Sequence, residues 1–240
     1  MNRIEIKLND LKQQGKKAVI KHMVAGFPKL DTMAELIKEQ EMSGADMIQL
    51  AIPFSDPVAD GPAIQNASVK ALENGATLRS VFKKMCETRE LGIQIPVIFK
   101  MYYNTLMHYG IDEFVRKCIE CGVDGVLIPD LPFEEQKELQ KAIDTNEAAP
   151  ILIQIVSERS NQRIPVILEN ARGFVFCASL MGKNNDKENI TGRLTQYLSY
   201  VKKNSEIPVM LEQGLLTDAW LEGTGDLTDG MISDVHFDIL

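Results

Sequence analysis

The feature that most constrains the fold is an alternation of short apolar runs with longer segments of helical periodicity. Eight runs rich in aliphatic and β-branched residues predict strands, at 19–24, 46–52, 96–101, 124–128, 151–156, 173–178, 207–211 and 229–233. Between them, apolar residues recur every three or four positions and predict helices, for example over 31–43, 112–121, 134–144 and 191–203. This alternation is typical of βα units around a parallel sheet.

The length of the chain fits a single domain built from these units. Eight βα units within 240 residues match the size of one (β/α)8 TIM barrel of the α/β class, and no Ser/Pro-rich linker divides residues 1–240. A doubly wound sheet is the alternative that the pattern leaves open. The sequence stops at Leu240, shortly after the eighth strand, so we expect the barrel to lack its final C-terminal helix. An amphipathic N-terminal segment with Ile4, Leu8 and Leu11 could cover the outer side of the first strand instead.

Composition excludes several functional classes. With 26 Lys and Arg against 34 Asp and Glu, the net charge of −8 argues against nucleic acid as the main partner. The sequence contains no run of about eighteen apolar residues, which a membrane span would need, and its N-terminus has no signal-peptide core. We therefore expect a cytoplasmic protein. Cys118 and Cys121 form a C-x-x-C within a predicted helix; buried helix cysteines are the favoured interpretation, with a metal or redox site as the alternative.

The loop after the second predicted strand is the candidate for chemistry. Residues 53–65 carry Asp56 and Asp60 among three prolines and a glycine. In barrels of this type the active site lies at the carboxyl ends of the strands, where two carboxylates could serve acid–base or metal chemistry. A surface turn with solvated aspartates is the competing interpretation.

Four segments carry a family resemblance. They are A-D-M-I-Q-L-A-I-P-F-S-D-P-V-A-D-G-P-A-I-Q at 45–65, K-M-Y-Y-N at 100–104, G-V-D-G-V-L-I-P-D-L-P at 122–132 and G-F-V-F-C-A-S at 173–179. In this order they resemble the signature of the tryptophan synthase alpha subunit family. The resemblance implies a (β/α)8 barrel that cleaves indole-3-glycerol phosphate into indole and glyceraldehyde 3-phosphate by a retro-aldol reaction. It implies no metal or cofactor in this chain, with pyridoxal phosphate in a beta subunit that receives the indole, and an assembly of two alpha chains on a beta dimer.

One of the two catalytic carboxylates that the resemblance implies is replaced. The family uses a glutamate on the second strand for proton transfer and the aspartate of A-D-G-P to stabilise positive charge on the indole ring. The aspartate is present as Asp60, whereas the glutamate position holds Gln49. An amide forms hydrogen bonds but does not exchange a proton at neutral pH, so we expect catalysis to be impaired or lost.

The expected phosphate-binding loops are also altered. After the seventh strand the family has G-F-G, where this chain has Glu212, Gln213 and Gly214; after the eighth, Asp234 and Val235 replace a glycine and a small hydroxyl residue. Like charges ~4 Å apart repel by roughly 1 kcal/mol in water and about 4 kcal/mol near a protein surface, so two carboxylates here disfavour a phosphate dianion.

The loop after the sixth strand retains part of the family pattern. Ser179 and Gly182 are kept, Phe176 replaces a tyrosine, and Lys183 could supply a compensating cation. An apolar pocket near Phe27, Tyr102 and Leu127 could still accept an indole-type ring.

The residues that face the beta subunit in the family are intact. They are Pro53, Asp56, Asn104 and Pro132. The main hypothesis is therefore a tryptophan synthase alpha chain, a lyase of tryptophan biosynthesis, with impaired or lost cleavage. The alternative is a non-catalytic alpha-like subunit that binds and allosterically activates the beta subunit. A changed substrate without phosphate is a third, weaker possibility.

Overall fold

The computed structural model describes residues 2–178, 190–214 and 224–235, and parallel strands form its centre. The strands are β1 Ala18–Val24, β2 Met47–Ala51, β3 Val97–Lys100, β4 Gly125–Leu127, β5 Ile151–Leu152, β6 Gln154–Val156, β7 Val175–Cys177, β8 Val209–Glu212 and β9 Gly230–Asp234. They form one sheet in the order β5-β4-β3-β2-β1-β9-β8-β7-β6. The outermost strands β5 and β6 are separated only by Ile153, so the sheet is a nearly closed barrel.

Helices surround this barrel. They are α1 Arg3–Gln13, α2 Met33–Met42, α3 Pro62–Glu73, α4 Leu78–Glu90, α5 Tyr103–Tyr109, α6 Ile111–Cys121, α7 Lys137–Asp144, α8 Ile164–Leu168 and α9 Ile190–Asn204. Within the described residues, no helix has the length and apolarity needed to cross a membrane. The structure confirms the TIM-barrel prediction and excludes the doubly wound alternative. The two edge strands of the single parallel sheet, β5 and β6, are consecutive in the chain, so the sheet curves until its edges approach each other.

Most predicted elements differ by one to three residues at their ends, and two differences affect the site. The fifth predicted strand, 151–156, is divided at Ile153, because β5 pairs with β4 on one side while β6 pairs with β7 on the other. The loop after β2 is shorter than predicted, because Pro62 begins α3. Proline favours the first turn of a helix, since its fixed φ is already helical and its missing N–H has no partner there.

Side chains alternate between the barrel interior and the surrounding helices. Ile20, Met47, Ile98, Leu127 and Phe176 belong to a buried cluster inside the barrel. The intervening strand residues pack outward in two further clusters, one beneath α2, α4, α6 and α7 and the other beneath α8 and α9. Because successive strand residues point to opposite faces, this alternation determines which residues near the strand ends face the barrel opening.

Helix α1 closes the amino end of the barrel. Asn2 and Glu5 form a capping box at its start, and Ile4, Leu8 and Leu11 join the interior cluster. Ile4 fits against Gly125, where an added Cβ would lie 2.9 Å from the Ile4 Cδ1 atom. The expectation that this segment covers the outer side of β1 is therefore wrong, and Val19 on that outer side is 39% exposed. Among the described residues, which end at Val235, no helix follows β9.

Two of the four cysteines form a disulfide, and the other two are free thiols. Cys118 and Cys177 are buried free thiols, whereas Cys121 forms a disulfide with Cys86 that joins α6 to α4. The C-x-x-C therefore does not pair internally. Burial raises the pKa of the Cys177 thiol to about 12, which keeps it protonated and unreactive at neutral pH.

A buried carboxylate ties four elements together at the amino end. Asp124, 3% exposed, binds the Arg89 guanidinium of α4 at 2.8 Å and Arg3 of α1 at 2.8 Å. It also accepts a hydrogen bond of 2.9 Å from the Val97 amide at the start of β3. Burial raises the pKa of Asp124, and the two arginines oppose that shift. The carboxylate thus connects α1 and α4 to the start of β3 and β4.

We expect Asp124→Ala to lower the free energy of unfolding by about 3 kcal/mol or more, because breaking a buried ion pair leaves the Arg89 charge uncompensated. Urea denaturation followed by circular dichroism measures the change. Glu113→Ala, in the exposed pair of Glu113 with Arg116, is the control and should change stability little. Equal midpoints for the two variants would contradict the role given to Asp124.

Candidate active site

Polar side chains gather at the carboxyl end of the barrel. Strand register places His22 opposite Gln49 on one side and opposite Asp234 on the other. Lys100 ends β3 and Glu212 ends β8, both two residues after interior positions. Because residues two apart in a strand share a face, all five side chains point into the barrel opening.

Gln49 is completely buried in β2. Its exposed fraction is 0%, and neither its amide nitrogen nor its amide oxygen has a hydrogen-bond partner among the described residues. Buried polar groups are nearly always hydrogen-bonded, and an unsatisfied one costs about 1–3 kcal/mol, so this amide is suited to bind a further polar group at the barrel opening. The neighbouring His22 ring, 3% exposed, has an Nε2 in the same region that has no partner within the part of the chain that the structure describes.

Asp60 is held by two groups from β3 and its end. The Lys100 Nζ lies 2.7 Å from Asp60 Oδ1, and the Tyr102 hydroxyl donates to Asp60 Oδ2 at 2.8 Å. The side chains of Asp60 and Lys100 are each 5% exposed. The Ala59 amide donates to the Tyr102 oxygen at 2.9 Å, and Phe54 stacks on the tyrosine ring. The prediction of a solvated surface turn is therefore wrong for Asp60, whose carboxylate points inward.

The pKa of Tyr102 lies well above its ordinary value. Burial is the largest cause, and the adjacent Asp60 carboxylate is the next. The phenol therefore stays protonated and donates to Asp60 at neutral pH. Tyr102 positions the loop after β2, in addition to the apolar role that the sequence suggested for it.

Sequence reasoning missed Lys100. It was included in the motif K-M-Y-Y-N without a role of its own, but the alternation of β3 carried a signal. Val97 and Phe99 face the helices and Ile98 faces the interior, so the next inward position is Lys100. A lysine at an inward position of a buried strand requires a nearby carboxylate, which here is Asp60.

The two acidic replacements at the expected phosphate loops both turn towards the barrel opening. The Glu212 Oε1 lies 3.8 Å from the Lys100 Nζ, with the Glu212 side chain 27% exposed. The Asp234 Oδ1 lies 2.9 Å from the His22 Nδ1. Val235 donates its amide to the His22 carbonyl at 2.8 Å, which extends the pairing of β9 with β1. Gly214 follows β8 with a φ of 50°, a left-handed conformation that glycine adopts freely.

The residues predicted to bind substrate do not all lie together. Leu127 and Phe176 belong to the barrel interior, below the polar groups. Phe27 is buried elsewhere, in a small cluster with Ala67, Ala71 and other residues beside α3. Its assignment to a shared pocket with Leu127 is therefore not supported by packing, because α3 covers its ring. Ser179, Gly182 and Lys183 lie outside the described residues.

The predicted partner-facing residues lie on neighbouring loops. Asp56, Asn104 and Pro132 are exposed and follow β2, β3 and β4, three adjacent strands of the sheet. Pro53 is buried and so is not part of the exposed set. Because the carboxyl ends of adjacent parallel strands meet at one edge, the three exposed residues belong to one face of the barrel.

We expect Lys100→Met to destabilise the fold by about 3 kcal/mol, because it leaves the buried Asp60 carboxylate unpaired. Adding Asp60→Asn should restore most of the loss, since the remaining amide carries no charge. Urea unfolding of both single variants and of the double variant measures the coupling. Lys83→Met, an exposed lysine on α4, is the matched control. Additive effects of the two substitutions would contradict a buried ion pair.

Among the described residues, no group of three or more His, Cys, Asp and Glu side chains is placed to hold a metal ion. A nearly closed parallel barrel with its polar groups at the carboxyl edge is the architecture of the (β/α)8 enzymes.

Comparison with known proteins identifies the family. A family model described as tryptophan synthase alpha chain matches residues 8–236. The tryptophan synthase alpha chain of Lachnospira eligens is 51% identical over 237 residues, covering 99% of this chain and 90% of the relative. That of Caldanaerobacter subterraneus subsp. tengcongensis is 39% identical, covering 97% and 87%. The chain therefore belongs to the tryptophan synthase alpha chain family, whose members are lyases of amino-acid biosynthesis.

Solved structures agree with this assignment. The crystal structure of tryptophan synthase subunit alpha from Legionella pneumophila superposes with a TM-score of 0.86 at 30% identity, covering 98% of this chain and 86% of that one. A structure of Mycobacterium tuberculosis tryptophan synthase gives a TM-score of 0.84 at 26% identity, covering 97% and 88%. The resemblance inferred from the sequence motifs is confirmed.

Proposed function

We propose that this tryptophan synthase alpha chain has impaired or lost retro-aldol cleavage of indole-3-glycerol phosphate. The observation that carries the proposal is the Lys100 ammonium at 2.7 Å from Asp60, beside an amide at position 49. Cleavage of the carbon–carbon bond requires protonation of indole C3, loss of a proton from a side-chain hydroxyl and stabilisation of a cationic ring.

The proton-transfer step lacks its catalyst. Gln49 is fully buried and cannot exchange a proton at neutral pH. General acid–base groups typically contribute about 10²–10⁴ in rate, so an amide at this position removes a factor of that size.

The charge-stabilising step is weakened as well. Both oxygens of Asp60 are engaged, one by Lys100 and the other by Tyr102. A carboxylate stabilises a developing cation through its negative charge, and the adjacent ammonium cancels most of that charge. An indole ring placed against Asp60 would also meet Lys100, which repels positive charge on the ring.

Phosphate binding is disfavoured at the same opening. Such barrels hold phosphate on backbone N–H groups of the loops after the seventh and eighth barrel strands, which here are β8 and β9. Glu212 and Asp234 bring carboxylates to these two loops, and the Lys100 ammonium is already paired with Asp60. The substrate's phosphate would therefore approach two negative groups.

The residues predicted to face a beta subunit are retained, in contrast to the catalytic and phosphate-binding groups. Asp56, Asn104 and Pro132 are exposed on loops after three adjacent strands, which favours a second candidate function. In it, the chain docks on a tryptophan synthase beta subunit and favours the active conformation of that subunit, without cleaving substrate itself. The alpha chain would carry no cofactor, pyridoxal phosphate would belong to the beta partner, and the assembly would be α2β2.

Restoring the lost groups should restore cleavage. We expect little or no indole release from the unaltered chain, and clear release from a variant combining Gln49→Glu, Glu212→Gly and Asp234→Gly. The gain from Gln49→Glu within this set should be about 10²–10⁴ in kcat. Indole formation from indole-3-glycerol phosphate is the measurement.

Gln94→Glu is the matched control for the catalytic substitution, because Gln94 is an exposed glutamine before β3, at the opposite end of the barrel. It should leave cleavage unchanged. Rapid indole release by the unaltered chain would overturn the proposal, and so would folded restoration variants that stay inactive.

Removing an exposed partner-facing carboxylate should weaken activation of the beta subunit. We expect Asp56→Ala to reduce the stimulation of tryptophan formation from indole and serine severalfold, since truncating a residue that anchors an interface costs more than about 1 kcal/mol. Titration of the beta subunit with each alpha variant measures the effect.

Asp144→Ala is the matched control for the partner experiment, because Asp144 is an exposed aspartate at the end of α7, before β5. Identical stimulation by the unaltered chain, the Asp56 variant and the Asp144 variant would contradict docking through this face.

A further inference from the structure

We propose that a groove between α7 and the end of α8 binds a small amphipathic carboxylate that carries an amide N–H. The groove is a cavity of about 1280 Å³ on the outer side of the barrel, and Gln154 of β6 is among the residues that line it. The candidate active site, in contrast, faces the barrel interior. The proposal therefore does not depend on whether the chain cleaves substrate.

Gln154 points out of the barrel, towards this groove. Its neighbour Ile153 belongs to the interior cluster, and Val156, two residues further on, belongs to the outer cluster beneath α8 and α9. Because successive strand residues face opposite sides of a sheet, Gln154 shares the outward side with Val156. Gln154 is only 6% exposed, so the groove reaches a polar side chain that is almost completely buried.

The hydrogen bonds of Gln154 leave one buried atom without a partner, and they establish which atom it is. The Leu131 carbonyl can only accept, so the Gln136 amide, 3.3 Å away, presents its Nε2 to that carbonyl. The Gln136 Oε1 therefore accepts, and its donor is the Gln154 Nε2 at 2.9 Å. The remaining Gln154 Oε1 is buried and has no donor among the described residues. An unsatisfied acceptor at the wall of a cavity favours a ligand that brings an N–H.

Two lysines favour a negative group on the same ligand. Lys137 and Lys141 lie one turn apart on the face of α7 that lines the groove. Both are exposed, and neither has an ion-pair or hydrogen-bond partner within residues 2–178, 190–214 and 224–235. Like charges four residues apart on a helix repel, and a carboxylate bound between the two ammonium groups relieves that repulsion.

The other charged side chains of the groove already have partners. They form the pairs Arg172 with Glu5, Glu134 with Arg163 and Asp144 with Gln140. Only the last of these joins a carboxylate to a neutral group. Among the described lining residues, a single carboxylate without a cationic partner therefore stands against the two lysines, and the groove favours an anion over a cation.

The groove also offers apolar surface. Phe133 and Ala171 are partly exposed and pack against the outer cluster, and Ile167 lines the groove with them. The aliphatic stems of the two lysines extend such a surface, because a lysine can lay its methylene groups along it while its ammonium stays in water. An apolar ring on the ligand would rest here, with the N–H directed to Gln154 and the carboxylate to α7.

The test uses three phenylalanine derivatives that isolate the two polar groups. N-acetylphenylalanine carries both the amide N–H and the carboxylate. N-acetylphenylalaninamide replaces the carboxylate with a neutral amide, and N-acetyl-N-methylphenylalanine keeps the carboxylate but lacks the N–H. Isothermal titration calorimetry of the full chain, at low ionic strength, measures the dissociation constants. We expect N-acetylphenylalanine to bind about tenfold more tightly than either of the other two compounds.

Variants locate the site. Lys141→Met should weaken binding of N-acetylphenylalanine about fivefold or more and leave N-acetylphenylalaninamide unchanged, because only the carboxylate responds to the lost charge. Gln154→Met should abolish the preference for N-acetylphenylalanine over its N-methyl derivative. Lys83→Met, an exposed lysine on α4, is the matched control and should change neither result. Urea unfolding establishes that the Gln154 variant keeps its fold; Lys141 is exposed, so its variant tests the site independently.

Several outcomes would overturn the inference. Equal binding of the three compounds would indicate apolar contact without recognition of either polar group. Absence of binding by N-acetylphenylalanine would exclude the ligand class and assign the Gln154 Oε1 to a buried water. Unchanged affinity in both Lys141→Met and Gln154→Met would place the compound elsewhere on the protein, the barrel opening included.

Discussion

All inward side chains of a closed barrel share one narrow interior, so a charge placed there must be balanced by a group that reaches the same space. Lys100 imposes this condition on the carboxyl end. Its ammonium is 5% exposed and is compensated by Asp60 at 2.7 Å. The loop after β2 is consequently drawn over the opening, with Tyr102 and the Ala59 amide completing the contact. The position of the loop and the electrostatics of the site therefore follow from one buried ion pair.

The two ends of the barrel are organised differently. At the amino end the polar groups are satisfied: Asp124 has Arg3, Arg89 and the Val97 amide as partners. At the carboxyl end Gln49 and His22 retain buried atoms with no partner in residues 2–178, 190–214 and 224–235. Unsatisfied buried groups lower stability and persist where a ligand completes them, so the contrast separates an end that maintains the fold from an end that meets other molecules.

Most of the architecture could be predicted from the sequence, because strand and helix periodicity is a local property. The eight strand positions and the glycines at helix ends, such as Gly122 with its left-handed φ of 66°, follow from local patterns. The surface against which α1 packs could not be predicted, since the apolar face of an amphipathic helix does not specify which part of the protein it covers. The site was predicted in part: Asp60, Gln49, Glu212 and Asp234 face the opening, whereas the Lys100 partnership depends on strand register, which one sequence does not specify.

The contact between Ile4 and Gly125 makes these two positions interdependent. The interior at the start of β4 is filled by the first turn of the chain, because Gly125 contributes no side chain of its own. A larger residue at 125 would expel α1, and loss of α1 would leave a gap bordered by a residue that cannot fill it. The N-terminal helix thus seals the amino end of the barrel, and without it water would enter the interior from that end.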